Sequence, residues 1–198
     1  MIALSRPVVF HGPSPFARVP AVVVDITLDE ATNQHCETLR DELAAAFGAW
    51  FAPPDSGDLA TSDAGIVQLL LNWSLAALTA RGGCLELSGF RRIEASRFRA
   101  WIEFYDPAPL QMALKLAATT ANAILAGQYD TNAVEAELQQ LWNACARLHP
   151  GTSDCIIMHG ARKLGIPYQS AWGTTKHWQF GWGARGEVFS FAASDRDG

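Results

Sequence analysis

One stretch of this chain limits its fold more than any other. Residues 65–80, GIVQLLLNWSLAALTA, are apolar around almost the whole circumference of a helix. A helix of that kind has no face to give to solvent, so its neighbours must enclose it. It is shorter than a bilayer requires, and Gln68, Asn72 and Ser74 interrupt it, so it reads as a central buried helix and not a membrane span. The pattern predicts a helix from about Ser62 to Arg81, closed by Gly82-Gly83 as a left-handed cap.

The remaining segments supply the covering layers. AVVVDITL, residues 21–28, places Val22, Val24, Ile26 and Leu28 on one strand face. Asp29 can cap the helix after it, and Cys36, Leu39, Leu43 and Phe47 recur at three and four up to about residue 48. AWFAPPDSGDLA is a loop by its prolines and glycine. FRAWIEFY, residues 98–105, is a second strand, with Phe98, Ala100, Ile102 and Phe104 on one face. Asp106 and Pro107 start a helix that Gly127 stops, and Asp130 caps the next, which carries Val134, Leu138, Leu141, Cys145 and Leu148. Thr152 caps TSDCIIMHGARKLG; its interior Gly160 is expected to permit close packing. IPYQSAW is a short strand, and WQFGWG pairs with GEVFSFAA around Ala184-Arg185-Gly186.

This order is not a run of βαβ units. It predicts an α/β protein of mixed α+β type: a small sheet packed with about five helices, ending in an aromatic β-hairpin. A change of composition at His149-Pro150-Gly151 divides the chain into 1–150 and 151–198.

Among the 198 residues, 49% are hydrophobic and 18% charged, as in a folded domain. A formal charge of -5 offers no general attraction to nucleic acid or to an anionic membrane. MIALSRPVVF is too short an apolar run for a secretory signal. Cys36, Cys84, Cys145 and Cys155 have no paired spacing, which fits free thiols of a cytoplasmic protein rather than disulfides or zinc.

Chemistry-bearing motifs are sparse. His11, His35, His149, His159 and His177 have no H-x-x-H or H-E-x-x-H spacing, so no metal site is predicted. Cys155 and His159 stand four apart on one helix, the spacing of a thiol and a base, but a nucleophile pair also needs hydrogen-bond reach and an orienting group. Glu103 and Asp106 border a strand end and read as exposed polar partners. Phosphate-binding loops of the G-x-x-x-x-G-K-[ST] or dinucleotide kind do not occur. Arg91, Arg92, Arg97 and Arg99 form a cluster whose guanidinium forks suit an acidic peptide or polymer. Trp73, Trp101 and Trp142 lie within elements and are expected in the core. Trp172 adjoins the final hairpin, where Trp178, Phe180 and Trp182 share a strand face and form an aromatic ridge that must cover something.

At this ridge the chain resembles a known family. Residues 151–198 are similar to the stretch leading into the ATP-grasp module of cyanophycin synthetases and related amino-acid ligases. The matching positions are Gly151, Thr152 and Ser153, then Ala161 with Gly165-Ile166-Pro167, then Gln179-Phe180-Gly181-Trp182-Gly183, and finally Ser194-Asp195-Arg196. GPSPFARVPAVVVDITLD and FRAWIEFYDPAPLQMALKLAATTANAIL resemble the family's upstream strands and helix. The resemblance implies a non-catalytic domain that holds a peptide-like or polyamino-acid substrate and helps assembly, including a homo-oligomer. ATP and magnesium then belong to an associated ATP-grasp ligase domain or subunit, with no cofactor in this chain. The chain stops at Gly198, where that module is expected to begin, so it is either a fragment or a partner of a separate ligase. Where the family carries an H-x-x-E-H pattern, this chain has Gln68, Leu71 and Asn72. The implied interface is Trp172, Trp178, Phe180 and Trp182; the rival enzyme reading rests on Cys155 and His159.

Overall fold

Strand β3, Ala21–Leu28, organises the first sheet. It pairs antiparallel on one side with both β1, Ile2–Leu4, and β2, Val8–Phe10. On its other side lies β5, Arg97–Glu103, which pairs antiparallel with β4, Ser88–Glu94. In this computed structural model residues 1–30, 32, 36–48, 50, 62–190 and 193–194 are described. His35, most of the 49–60 loop and the Asp195-Arg196 match lie outside them.

Register explains which face is dry. Val22 opposes Ile102, Val24 opposes Ala100 and Ile26 opposes Phe98, so the predicted apolar alternations of both strands fall on one side. With α1, Cys36–Gly48, packed on both of them, α2, Asp63–Thr79, and α3, Pro107–Leu125, lie against that side. The fourth helix, α4, Thr131–Leu148, packs on α2 and α3. Helix α2 is the centre, as its all-round apolarity requires: Ile66, Val67, Leu70, Leu71 and Trp73 are each at most 1% exposed. Its buried Ser74 hydroxyl donates to the Leu70 carbonyl, and Trp73 packs on Phe47 at 3.9 Å between ring centroids.

The local caps agree with the sequence reading. Ser62, Asp106 and Asp130 accept backbone protons of α2, α3 and α4 through their side chains. Helix α5, Thr152–Lys163, differs: Gly151 is its N-cap and makes no side-chain bond, so Thr152 is the first helical residue rather than the cap. Trp101 also departs from expectation. It belongs to the outer sheet face and lies over Gly89, where an added Cβ would sit 2.9 Å from the indole. Glycine opposite the ring leaves that space open.

A second antiparallel sheet follows α5, in the order β6, Tyr168–Ser170, β7, His177–Phe180, β8, Glu187–Ser190, and β9, Ala193–Ser194. Tyr168, Trp178 and Phe180 join the same hydrophobic core as the first sheet and its helices. The whole is the mixed α+β arrangement expected, with five described helices of four residues or more and two antiparallel sheets. No described helix is long and apolar enough to cross a membrane.

Candidate functional site

Helix α5 places two unlike surfaces back to back. Its inward side meets the end of β5, where Glu103 is fully buried. Arg162 Nη1 donates to both oxygens of that carboxylate, at 2.8 and 3.1 Å, and Arg162 Nη2 donates to the Cys84 carbonyl. The backbone N–H groups of Glu86 and Leu87 donate to Glu103 Oε2 at 3.1 and 3.2 Å, and the Tyr168 hydroxyl donates to Oε1. A buried charge is tolerable only when paired and hydrogen-bonded in this way. Burial pushes the Tyr168 hydroxyl well above its ordinary range, with the Glu103 charge adding to it. For Arg162, burial opposes the charge, but Glu103 and its neighbours outweigh it and hold the guanidinium above its usual value. Glu103 is therefore not the exposed strand partner that its position at a strand end suggests.

The outward side of α5 is apolar and open. A groove of about 670 Å³ runs between the C-terminal half of α5 and the β7–β8 hairpin, walled by Ile157, Gly160, Leu164, Ile166, Trp182 and Phe189 among others. Leu164 is 76% exposed and Trp182 43%. Gly160 makes no close packing contact: nothing lies within 4 Å of where its Cβ would be, so it keeps the groove wall low instead of admitting a neighbour.

The aromatic ridge is divided between these surfaces. Trp178 and Phe180 point inward, 0% and 7% exposed; Trp178 meets Tyr105 and Tyr168 edge-on at 5.9 and 6.2 Å. They are core residues of this chain and not a free interface, which corrects the implied interface at these two positions. The reason is Gly181, whose φ of +79° ends the strand alternation after Phe180 and turns Trp182 out of the row. Trp172 is 76% exposed and occupies the left-handed region at φ +55°, beside His177 at 5.1 Å between rings. A tryptophan held there is unusual. Thus two of the four proposed interface residues, Trp172 and Trp182, stand open.

The arginine cluster is mostly engaged within the chain. Arg92 pairs with both oxygens of Asp63 at 2.6 and 2.5 Å, and Arg99 with both oxygens of Asp25 at 2.7 and 3.0 Å. These bonds hold the Asp63 and Asp25 carboxyls below their usual range. Arg97 lies 3.3 Å from Glu94 and 3.8 Å from Asp25. Arg91 directly opposes Arg99 in the sheet and stands 5.6 Å over the Phe16 ring, without a carboxylate partner among the described residues.

Cys155 and His159 have different partners. The Cys155 thiol faces the Tyr105 hydroxyl at 3.6 Å, whereas His159 Nδ1 meets Glu86 Oε1 at 3.2 Å. Gln68 Nε2 donates to Asn72 Oδ1 at 2.7 Å, while Leu71 is buried in the core. Among the described residues no three His, Cys, Asp or Glu side chains gather as a metal site.

Sequence reasoning missed Arg162 and misplaced Glu103, because the pair spans 59 residues. The available signal was an acidic residue continuing the β5 alternation toward a helix carrying arginine. In comparison with known proteins, neither a protein-family model nor a curated protein sequence gives a significant match to this chain.

Proposed function

We propose that this chain is the non-catalytic accessory domain of, or partner to, an ATP-dependent amino-acid ligase resembling cyanophycin synthetase, and that its groove seats the ATP-grasp module. One observation carries the reading. Ala161, Gly165, Ile166, Pro167, Phe180, Gly181 and Trp182, all positions of the family resemblance, line this one groove. Covering a side chain such as Leu164 or Trp182 is worth about 1.5–3 kcal/mol each, so the open wall favours a docked partner. ATP and magnesium belong to that partner. Arg91 is the guanidinium left to meet an acidic peptide or polyamino-acid substrate, since the other three are held by carboxylates. The free thiols of Cys84, Cys145 and Cys155 suit a reducing compartment, the cytoplasm.

The test is capture of an ATP-grasp protein, identified by mass spectrometry, on the immobilised chain in extract of its native source. The wild type should retain such a ligase, and Leu164→Asp combined with Trp182→Ser should release it while keeping the same circular dichroism spectrum. Equal retention by both proteins overturns the docking site. Amide-bond synthesis by the purified chain alone with ATP, magnesium and amino acids overturns the accessory role.

A further inference from the structure

The polar seam where α5 meets the end of β5 also contains two thiols that the proposed function leaves without a task. Cys84 and Cys155 are 71 residues apart in sequence, yet the Cys84 thiol donates to the Cys155 carbonyl at 3.3 Å. Both sulfurs face one hydroxyl: Tyr105 Oη lies 2.8 Å from Cys84 Sγ and 3.6 Å from Cys155 Sγ. The Cys84 backbone N–H donates to the same oxygen at 2.7 Å, which fixes the hydroxyl between them. Neither cysteine is fully buried. Cys155 lines a cavity of about 400 Å³ together with Gly83, Cys145, His149 and Gly151, so a small molecule has a route to the Cys155 side of the pair.

We propose that Cys84 and Cys155 form a reactive dithiol site that a low-molecular-weight disulfide oxidises to an intramolecular disulfide, Cys84 attacking and Cys155 resolving. The assignment of roles follows from the surroundings. The neighbouring Cys155 thiol, with help from Tyr105 and the Arg162 charge, outweighs burial and lowers Cys84 to about 6. The same contact, together with burial, raises Cys155. Other groups around the pair are Asp154 from α5, Glu103 at the end of β5, Glu86 beside Cys84, and His149, whose ring packs edge-on against Tyr105 at 5.1 Å. Thiolate is the nucleophile in exchange, so Cys84 is the member already charged near neutral pH.

The chemistry closes without another reagent. Cys84 thiolate attacks one sulfur of the small disulfide, forming a mixed disulfide and expelling the first small thiolate, which takes up a proton. Cys155 then loses its proton to solvent, and its thiolate attacks Cys84 Sγ. The protein disulfide forms and the second small thiolate leaves. Two protein thiols are oxidised and one small disulfide is reduced to two thiols. The bond ties the first turn of α5 to the segment before β4, so the placement of α5, held in the reduced chain by the seam, becomes covalent.

The test uses the full reduced chain incubated with oxidised glutathione. Trypsin should then release residues 82–91 and 148–162 joined by a disulfide, with the intact mass lower by two hydrogens. Cys145, whose thiol burial pushes up to about 11, should remain unmodified. Cys155→Ser should trap glutathione on Cys84, and Cys84→Ser should take up none. Alkylation of Cys84 by iodoacetamide should rise through a midpoint near pH 6. Glutathione retained on wild-type Cys84, modification of Cys145 in preference, or an alkylation midpoint above pH 8 each overturns the proposal. The wild-type peptide map decides without any variant having to fold.

Discussion

The inward side of α5 buries a charged pair beside core residues Met158 and Ala161, while its outward side leaves large apolar residues open. Inward, Arg162 and Glu103 are 7% and 0% exposed, with Tyr168 and two half-buried thiols beside them. Outward, Ile156 and Leu164 are 68% and 76% exposed, one on each side of the unadorned Gly160. Elsewhere the chain follows the ordinary rule: α2 and the inner faces of β3 and β5 bury aliphatic side chains. The contrast teaches that α5 is held by specific, geometrically demanding bonds, while its apolar side is left for contact with something else. A polar seam fixes orientation closely because a misplaced buried charge is so unfavourable. Such an anchor suits a helix that must present a groove.

The contrast can be broken most strongly from the inside. Arg162→Met leaves Glu103 buried without its cation and should lower unfolding stability by about 3–5 kcal/mol, measured by urea titration. Adding Glu103→Gln should recover part of the loss, because the amide oxygen still accepts from the Glu86 and Leu87 N–H groups. A single-variant loss below about 1 kcal/mol would mean the seam behaves as a surface pair.

A smaller effect is expected at the hinge between the two surfaces. Gly181→Ala must hold φ at +79° with its Cβ 3.0 Å from the Arg185 carbonyl oxygen. The left-handed conformation alone should cost about 1–2 kcal/mol in the same titration. An unchanged midpoint would show that the turn relaxes and that Trp182 is not directed by Gly181.

On the open side the sign reverses. Gly160→Ala meets no neighbour and should stabilise the isolated chain by about 0.5–1 kcal/mol through helix propensity. Destabilisation instead would mean that the groove is closed in solution.

Much of the fold was legible because it is local. The caps at Ser62, Asp106 and Asp130, the stops at Gly127 and Gly165, and the alternation in β3 and β5 each depend on groups within a few residues. The candidate site was less legible. Period-two reasoning put Trp178, Phe180 and Trp182 together, but a strand that stops at Phe180 has no third position to offer. Arginine clustering was visible, whereas the engagement of Arg99 depends on Asp25, 74 residues away. Cys155 and His159 looked like a pair by spacing, yet their partners are Tyr105 and Glu86, which lie far from them in sequence.

Taken alone, the order of residues determined the central α2 helix, the mixed α+β class and the aromatic hairpin, since each follows from repeats of two, three or four residues. Tertiary packing decided which polar groups are enclosed, which aromatic side chains stay open, and which thiols meet. Those outcomes depend on surfaces brought together across 59 to 74 residues, where desolvation and the pairing of buried charges govern, and no local repeat encodes them.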